Sequence, residues 1–536
     1  MPYAIVVAGA TLYRVSSAGV ATPLPLPDGV TLSTTRPPRL AVFGRNVILT
    51  NNPTRSLAID PDFNVRPLQL VAPVSAVVLG VGGIGGLAGT YQVKYTHAQI
   101  DPETGGLVSE SDFSPISAPL TLAGGLLNVT GISASPDLST THHRLYRTLA
   151  DGDVFYWWLD VEAGQTTIAD DLSDLLLPNL AAPRELGAGP GLLPSSFMTL
   201  LTSWKNRLWG VGNRHVDTLR YSGEGLAYGW PATYGLDIDP IGADEFGITG
   251  LMARKDLLGV AKRTGFTKVS GGLPDGDGVP QWDVNADKNG QGCFGPSIVV
   301  GDTAYYLGPD GVYEWGADGF KCLSDGRVRR WFAKDDDFNR ARFADAFVKY
   351  NERYDSIEWH LAAAGSTTID RWVSYDRASG AWHGPHRTNK AGPTSGFTLI
   401  DAGSNALPVL GADDGTIYVL NQAGYSDAGV AIPIVLRSKW HDADAPTILK
   451  TWLAPTFMTR AIALMGQCRV QYRVGPIDVD VTQTVPLDLR LGTETLPRVG
   501  TGQFLQLEIH DETNGAACEV YGYEVPYYPV SNRVRR

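Results

Sequence analysis

Runs of Val, Ile, Tyr and Phe only a few residues long, separated by turns rich in Gly, Asp and Pro, recur along most of the chain. The clearest lies in Ser297–Leu323, SIVVGDTAYYLGPDGVYEWGADGFKCL. The pattern predicts strands at Ser297–Val300, Ala304–Leu307 and Gly311–Glu314, and a fourth near Phe320–Leu323, forming a small antiparallel meander. Strands this short cannot bury their faces alone, so the unit must stack on copies of itself.

The copies are visible as an apolar strand, a polar turn and a second apolar strand: FGRNVIL at Phe43, SWKNRLWGV at Ser203, ARKDLLGVA at Ala253, VGDTAYYL at Val300, YNERYDSIEWHL at Tyr350 and AGSNALPVL at Ala402. Turn positions 206, 255, 301, 352 and 403 recur at a spacing near 50 residues. That spacing, with about four strands per repeat, predicts an all-β chain built on a β-propeller of about six blades. Removing an insert at 72–182 brings the turn at Gly44 into the same period. The expected organisation is N-terminal propeller strands and a first blade at 1–71, an inserted β-sandwich at 72–182, the remaining blades at 183–425 and a C-terminal β-sandwich-like domain at 426–536. The last blade, Phe397–Leu420, offers only about three strands, so the N-terminal strands are expected to complete it and cover its edge.

A composition with 61 Gly and 35 Pro suits strands and turns, and no stretch keeps a helical period. The net charge of −12 argues against a general basic surface for gripping phosphate. Cys293, Cys322, Cys468 and Cys518 are scattered without zinc spacing and read as buried thiols of a protein folded in a reducing cytosol. The N-terminus, MPYAIVVAGATLYRV, has neither a basic leader nor an apolar run long enough for a membrane anchor.

Candidate chemistry is thin. Gly80, Gly82 and Gly85 match GxGxxG, but the following TYQVKYTHAQI reads as a strand where a dinucleotide site needs a helix, so Ala72–Gly89 reads as a flexible linker. Asp335–Asp337 reads as a solvated loop, and Asp275 with Asp277 as a plain turn lacking a distal calcium-binding Glu. His142 and His143 alternate faces of a strand, and Gly and Pro between His383 and His386 forbid the helix that would align a zinc pair. A glycosidase would need two carboxylates in a central pocket; Glu245, Glu314, Glu358 and Asp370 are candidates that nothing singles out. The expectation is therefore no catalytic, cofactor-binding or metal-binding residue, and no enzyme.

Three resemblances add to this reading. YQVKYTH, ETG and SE, followed by THHRLYRT, FYWWLDV and TTIADDLSD, resemble the fibronectin type III-like modules of bacteriophage structural proteins, which are adhesion or spacer elements. SYDRASGAW, with Asp376, Ser379, Gly380 and Trp382, is similar to the Asp-box hairpin of propeller glycosidases, where the box stabilises a turn away from the active site; here two extra residues separate the Asp from the Gly. Finally, SWKNRLWGVG, LRYSGEG, ITGLMARKDLLGVAKRTGFTKVSGG and DTAYYLGPDGVYEWGADGF, followed by a β domain ending in YEVPYYPV, resemble the tail nozzle proteins of short-tailed bacteriophages. That resemblance implies a virion protein made in the host cytoplasm. It implies a homo-oligomeric ring, hexameric, that contacts tail adaptor and tail fibre proteins and encloses a channel for genomic double-stranded DNA without binding it specifically. An acidic wall suits such a channel, because like charge keeps the phosphates from sticking. Gly187–Ser195 and Gly271–Pro280 are expected at lumenal or inter-subunit positions. A tail hub, a glycan-binding fibre-like adhesin and a propeller polysaccharide hydrolase are the alternatives.

Overall fold

The computed structural model describes residues 3–35, 37–50, 55–180, 198–212, 216–231, 233–238, 247–275, 279–326, 328–334, 337–387, 392–401, 403–420, 426–427, 430–431, 434–461, 468–477, 479–488, 493–511 and 518–530. The chain is all-β. Among the described residues helix is confined to Leu177–Leu180, Arg329–Ala333 and a 3-10 turn at Arg340–Asp345. It forms two compact units, one of Met1–His386 with Pro393–Tyr418 and the other of Arg387–Gly392 with Val419–Arg536.

Outside residues 72–182, the described residues of the first unit form seven small antiparallel sheets, each a meander in which every strand pairs with the next in sequence. Sheet 1 is Tyr3–Ala8, Thr11–Ser16 and Ala21–Leu24, and sheet 2 is Arg39–Phe43, Asn46–Thr50, Leu57–Ile59 and Val65–Pro67. Sheet 3 is Met198–Trp204, Arg207–Gly212, Thr218–Tyr221 and Gly235–Asp237, and sheet 4 is Ile248–Ala253, Leu258–Lys262, Phe266–Pro274 and Pro280–Asp287. Sheet 5 is Ser297–Val300, Thr303–Leu307, Val312–Gly316 and Gly319–Cys322, close to the strands expected there. Sheet 6 is Phe347–Asn351, Ser356–Ala362, Ile369–Asp376 and Trp382–Arg387, and sheet 7 is Pro393–Ile400, Ala406–Ala412 and Ile417–Val419.

Neighbouring sheets share apolar cores. Leu12 and Leu24 of sheet 1 pack with Leu49 and Leu57 of sheet 2, and Phe43 and Ile48 of sheet 2 pack with Met198 and Leu208 of sheet 3. Trp209 and Val211 meet Val260 and Val269 of sheet 4, and Phe266 meets Tyr306 and Trp315 of sheet 5. Tyr305 and Leu307 meet Trp359 and Val373 of sheet 6, while Leu399 and Val409 of sheet 7 pack with Ala4 and Val15 of sheet 1. Alternate residues of one strand thus serve different neighbours. This is why Ala304–Leu307 is a continuous apolar run rather than an apolar-polar alternation.

Two sequence expectations differ from the structure. The N-terminal strands pair with one another as sheet 1 and donate no strand to sheet 7, because Gly9 turns at φ 59° and aligns Tyr3–Ala8 with Thr11–Ser16. Nor is Ala72–Gly89 simply a linker: it contributes strands Val78–Val81 and Leu87–Tyr91, paired with Leu127–Thr130 and Leu120–Gly125. Its glycines serve close approach. A Cβ on Gly82 would lie 2.8 Å from Leu126 Cβ, and one on Gly85 2.6 Å from the Gly125 carbonyl carbon.

These strands belong to a module with a four-stranded sheet (Leu107–Glu110, Val93–Ile100, His142–Thr148 and Phe155–Glu162) and smaller sheets, closing on a core that includes Tyr91, Val93, Tyr95, Leu127, Leu145 and Trp158. Arg147, fully buried, pairs with Asp170 at 2.6 Å. The module is joined by polar contacts to the chain around and after sheet 2, and that chain in turn to a loop of sheet 3. Asp137 pairs with Arg55 and accepts from the Val71 amide at 2.7 Å, Ser109 donates to the Leu68 carbonyl at 3.0 Å, and Gln69 donates to the Tyr228 carbonyl at 3.1 Å.

The second unit has a four-stranded sheet of Ile434–Arg437, Phe504–Asp511, Arg469–Gly475 and Gln483–Pro486, together with two three-stranded sheets, around Trp452, Phe457, Tyr472, Leu505 and Leu507. In Phe504–Asp511 the apolar–polar alternation does not leave one face wet: Glu508 is buried, ion-pairs with Arg437 and Arg473 and lies 2.5 Å from His510 Nε2.

Candidate functional site

The first strands of sheets 2 to 5 lie side by side and line a cavity of about 450 Å³. Among the described residues its wall is Leu40–Val42, Leu201–Ser203, Leu251, Ala253 and Ser297–Val299, so its polar side chains there are the hydroxyls of Thr202, Ser203 and Ser297, and no described titratable group lines it. Such a wall can hold water or a small apolar molecule but has no acid, base or ligand for a metal.

Among the described residues, none of the expected carboxylates lines this cavity. Glu245 lies outside the described residues. Glu314 sits in the middle of sheet 5 between Tyr305 and Lys321. Asp370 accepts from the Ala363 amide at 2.8 Å and pairs with Arg371 at 3.2 Å.

Glu358 is the exception in environment. It is buried on the second strand of sheet 6, directly opposite Lys349 on the first, and the two pair at 2.6 Å. Asn351 donates to its other oxygen at 2.7 Å, and His360 Nε2 lies 3.9 Å away, an electrostatic neighbour beyond hydrogen-bond reach. Burial alone would raise this carboxyl, but the His360 ring, the Lys349 ammonium and the Asn351 amide hold it down at about 2. Burial pushes the His360 imidazole below its ordinary value. His360 stacks between Phe347, with centroids 4.4 Å apart, and Trp372 at 6.2 Å. Sequence reasoning missed Lys349, Asn351 and His360, because the cluster exists only through cross-strand register.

The remaining candidates are structural. Both Asp275 oxygens are used within its own hairpin, by the Val279 amide at 2.9 Å and the Gln281 side chain at 2.8 Å, while Asp277 lies outside the described residues. Of the acidic run, Asp335 and Asp336 also lie outside them; nearby Arg329 pairs with Asp310 and Asp325, and Arg340 donates to the Pro309 carbonyl at 2.6 Å. His383 is exposed, and His386 stacks on Trp372 at 4.1 Å. Asp376 accepts from the amides of Ala378 and Ser379, both at 2.9 Å, and the Trp382 indole donates to the Leu323 carbonyl at 3.2 Å, so this hairpin is held as an Asp-box turn would be.

His142 contacts its neighbour Thr141, whereas His143 meets His97 across the strand pair, Nδ1 to Nδ1 at 3.0 Å. His143 Nε2 donates to the Ala163 carbonyl at 2.9 Å, so His143 Nδ1 accepts and His97 Nδ1 carries the shared proton. Among the described residues no three His, Cys, Asp or Glu side chains are grouped to hold a metal ion. Cys293 and Cys322 are thiols, and burial pushes the former up to about 12.

No family model matches the chain, and no curated protein matches it. Solved structures that match include Kluyveromyces lactis Hsv2, at 11% identity over 56% of this chain and 71% of that one with a TM-score of 0.27. AztD from Citrobacter koseri matches at 9% identity over 80% and 99%, TM-score 0.28. The β-propeller domain of the Trilobed protease from Pyrococcus furiosus matches at 8% over 74% and 97%, TM-score 0.22. Scores this low carry no functional argument.

Proposed function

We propose that the chain is a structural protein of a short-tailed bacteriophage tail, whose seven sheets close into a seven-bladed propeller and whose copies assemble as the nozzle ring around the DNA ejection channel. The count is seven rather than six because the N-terminal strands make a blade of their own. Residues 72–182 are the fibronectin type III-like insertion, and 426–536 belong to a C-terminal sandwich. The ring contacts tail adaptor and tail fibre proteins and lets double-stranded DNA pass without specific binding.

The observation that carries this reading is the cavity at the first strands, whose described wall is alkyl groups and three hydroxyls with no titratable side chain. A propeller hydrolase would place its carboxylates there. What ionic chemistry the fold has is instead engaged in structure, at Arg55–Asp137, Arg147–Asp170 and Lys349–Glu358. The net charge of −12 supports a conduit rather than a phosphate-gripping surface. Of the loops expected at the channel, Gly187–Ser195 and 276–278 lie outside the described residues; Gly271–Pro274 and Pro280 are at the paired ends of the last two strands of sheet 4, with Leu273 81% exposed. Mass photometry of the purified chain tests the proposal. A species near six times the 57.6 kDa chain mass is expected, and a monomer at every concentration would overturn it.

A further inference from the structure

One junction between successive sheets differs from the others in kind. Sheets 1 to 6 are joined in sequence by shared apolar clusters, and sheet 7 joins sheet 1 through a small one. Among the described residues, sheets 6 and 7 have no such shared cluster. On the second strand of sheet 6, Ile357, Trp359 and Leu361 face the core shared with sheet 5, so Ser356, Glu358 and His360 face the other way.

That second face meets sheet 7. Thr398 donates to the Tyr350 carbonyl at 2.8 Å. Gly396 leaves space for the Lys349 stem, since a Cβ there would lie 2.9 Å from both Lys349 Cδ and Phe347 Cε2. The junction therefore encloses an ammonium, a carboxylate, an amide and an imidazole. Asn351 Oδ1 and both His360 nitrogens are buried without a hydrogen-bond partner.

Burying alkyl and aromatic groups contributes to stability in proportion to area, whereas the attraction within a buried ion pair is largely offset by its desolvation. Unsatisfied buried polar atoms subtract further, and separating the sheets would hydrate all of them at once. On its opposite face, sheet 7 is held by the four-residue cluster of Ala4, Val15, Leu399 and Val409, supported by partly buried neighbours. The sheet is thus weakly anchored on both sides.

We infer that the junction between sheets 6 and 7 is a built-in seam, at which sheet 7 separates from the rest of the first unit while sheets 2 to 6 stay packed. The Lys349–Glu358 pair sets how readily it parts. The inference rests on the packing of the sheets and not on the proposed place in a virion, so a failed ring assembly would leave it standing.

Hydrogen exchange by mass spectrometry on the full chain tests it. Amides of Pro393–Ile400 and Ala406–Ala412 are expected to exchange at least tenfold faster than those of Thr303–Leu307 and Val312–Gly316; equal protection would overturn the seam. The double variant Lys349→Met/Glu358→Leu, which replaces the pair with alkyl groups, is expected to slow exchange in sheet 7 about tenfold and leave sheet 5 unchanged. Glu358→Gln alone, which strands the ammonium, is expected to quicken exchange in sheet 7 selectively. A change spread equally over sheets 5 and 7 in either variant would contradict the seam. Should neither variant fold, the wild-type comparison decides.

Discussion

Residues of positive φ recur in the turn between the first and second strands of a sheet, among them Gly9 at 59°, Gly44 at 57°, Asn206 at 54°, Gly301 at 63°, Asp355 at 46° and Ser404 at 62°. Left-handed backbone selects Gly, Asn and a few short polar residues, so the repeat was legible from the residue types at its turns. Close backbone approach is not legible in this way. Gly292 is buried, and a Cβ there would lie 1.8 Å from the Arg263 carbonyl oxygen, so Gly292→Ala should cost more than ~2 kcal/mol in urea unfolding; a change within error would contradict the packing of sheet 4 on sheet 5. The His97–His143 pair likewise depends on register that the sequence hides. Burial and the adjoining His143 hold the His97 ring at about 4, Asp137 acts weakly the other way, and burial also lowers His143. Because the folded value lies below the ordinary 6.5, stability from His97 is full above that pH and is lost as pH falls towards 4, amounting to roughly 2 kcal/mol by pH 4.5. Glu110, whose carboxyl burial raises, works in the opposite sense, so the comparison is with a variant. Between pH 7 and pH 4.5, wild type should lose more stability than His97→Gln, and equal losses would contradict the burial of a neutral His97 ring beside His143.

At the scale of elements, the best-read strands are those bounded by Gly-Asp and Asp-Gly turns. Sheet 5 lies within two residues of its expected limits, because each turn interrupts an apolar run, and the two central strands are buried on both faces. Reading failed where glycine carried two meanings: in Ala72–Gly89 it marks strands pressed against other backbone, not a loose connection. The hairpin Ser374–Trp382 was legible because its polar groups are satisfied locally, while the environment of Trp382 was not. That indole packs on Trp359 at 5.7 Å and Tyr375 at 5.2 Å and donates to Leu323 across to sheet 5. Trp382→Ala should therefore cost about 3–5 kcal/mol in chemical unfolding with no loss of the turn itself; a cost below ~1 kcal/mol would mean that the indole is not part of the core between sheets 5 and 6. The cavity wall could not be read from the sequence, because which strand of a repeat comes first, and so faces the cavity, depends on how the sheets stack.

The whole molecule brings the two levels together. Sheets too small to stand alone share cores with their neighbours, and the module inserted between sheets 2 and 3 is fixed by Arg55–Asp137 and Ser109. The proposed role asks such a chain to build a wall, and the acidic balance of −12 is what a wall that DNA slides past would need. Electron cryomicroscopy of the assembled protein tests this most directly: the account predicts a closed ring of copies, each with seven radial sheets, around a pore of duplex width whose lining is net acidic, and a monomer without a pore, or a pore lined by Lys and Arg, would contradict it.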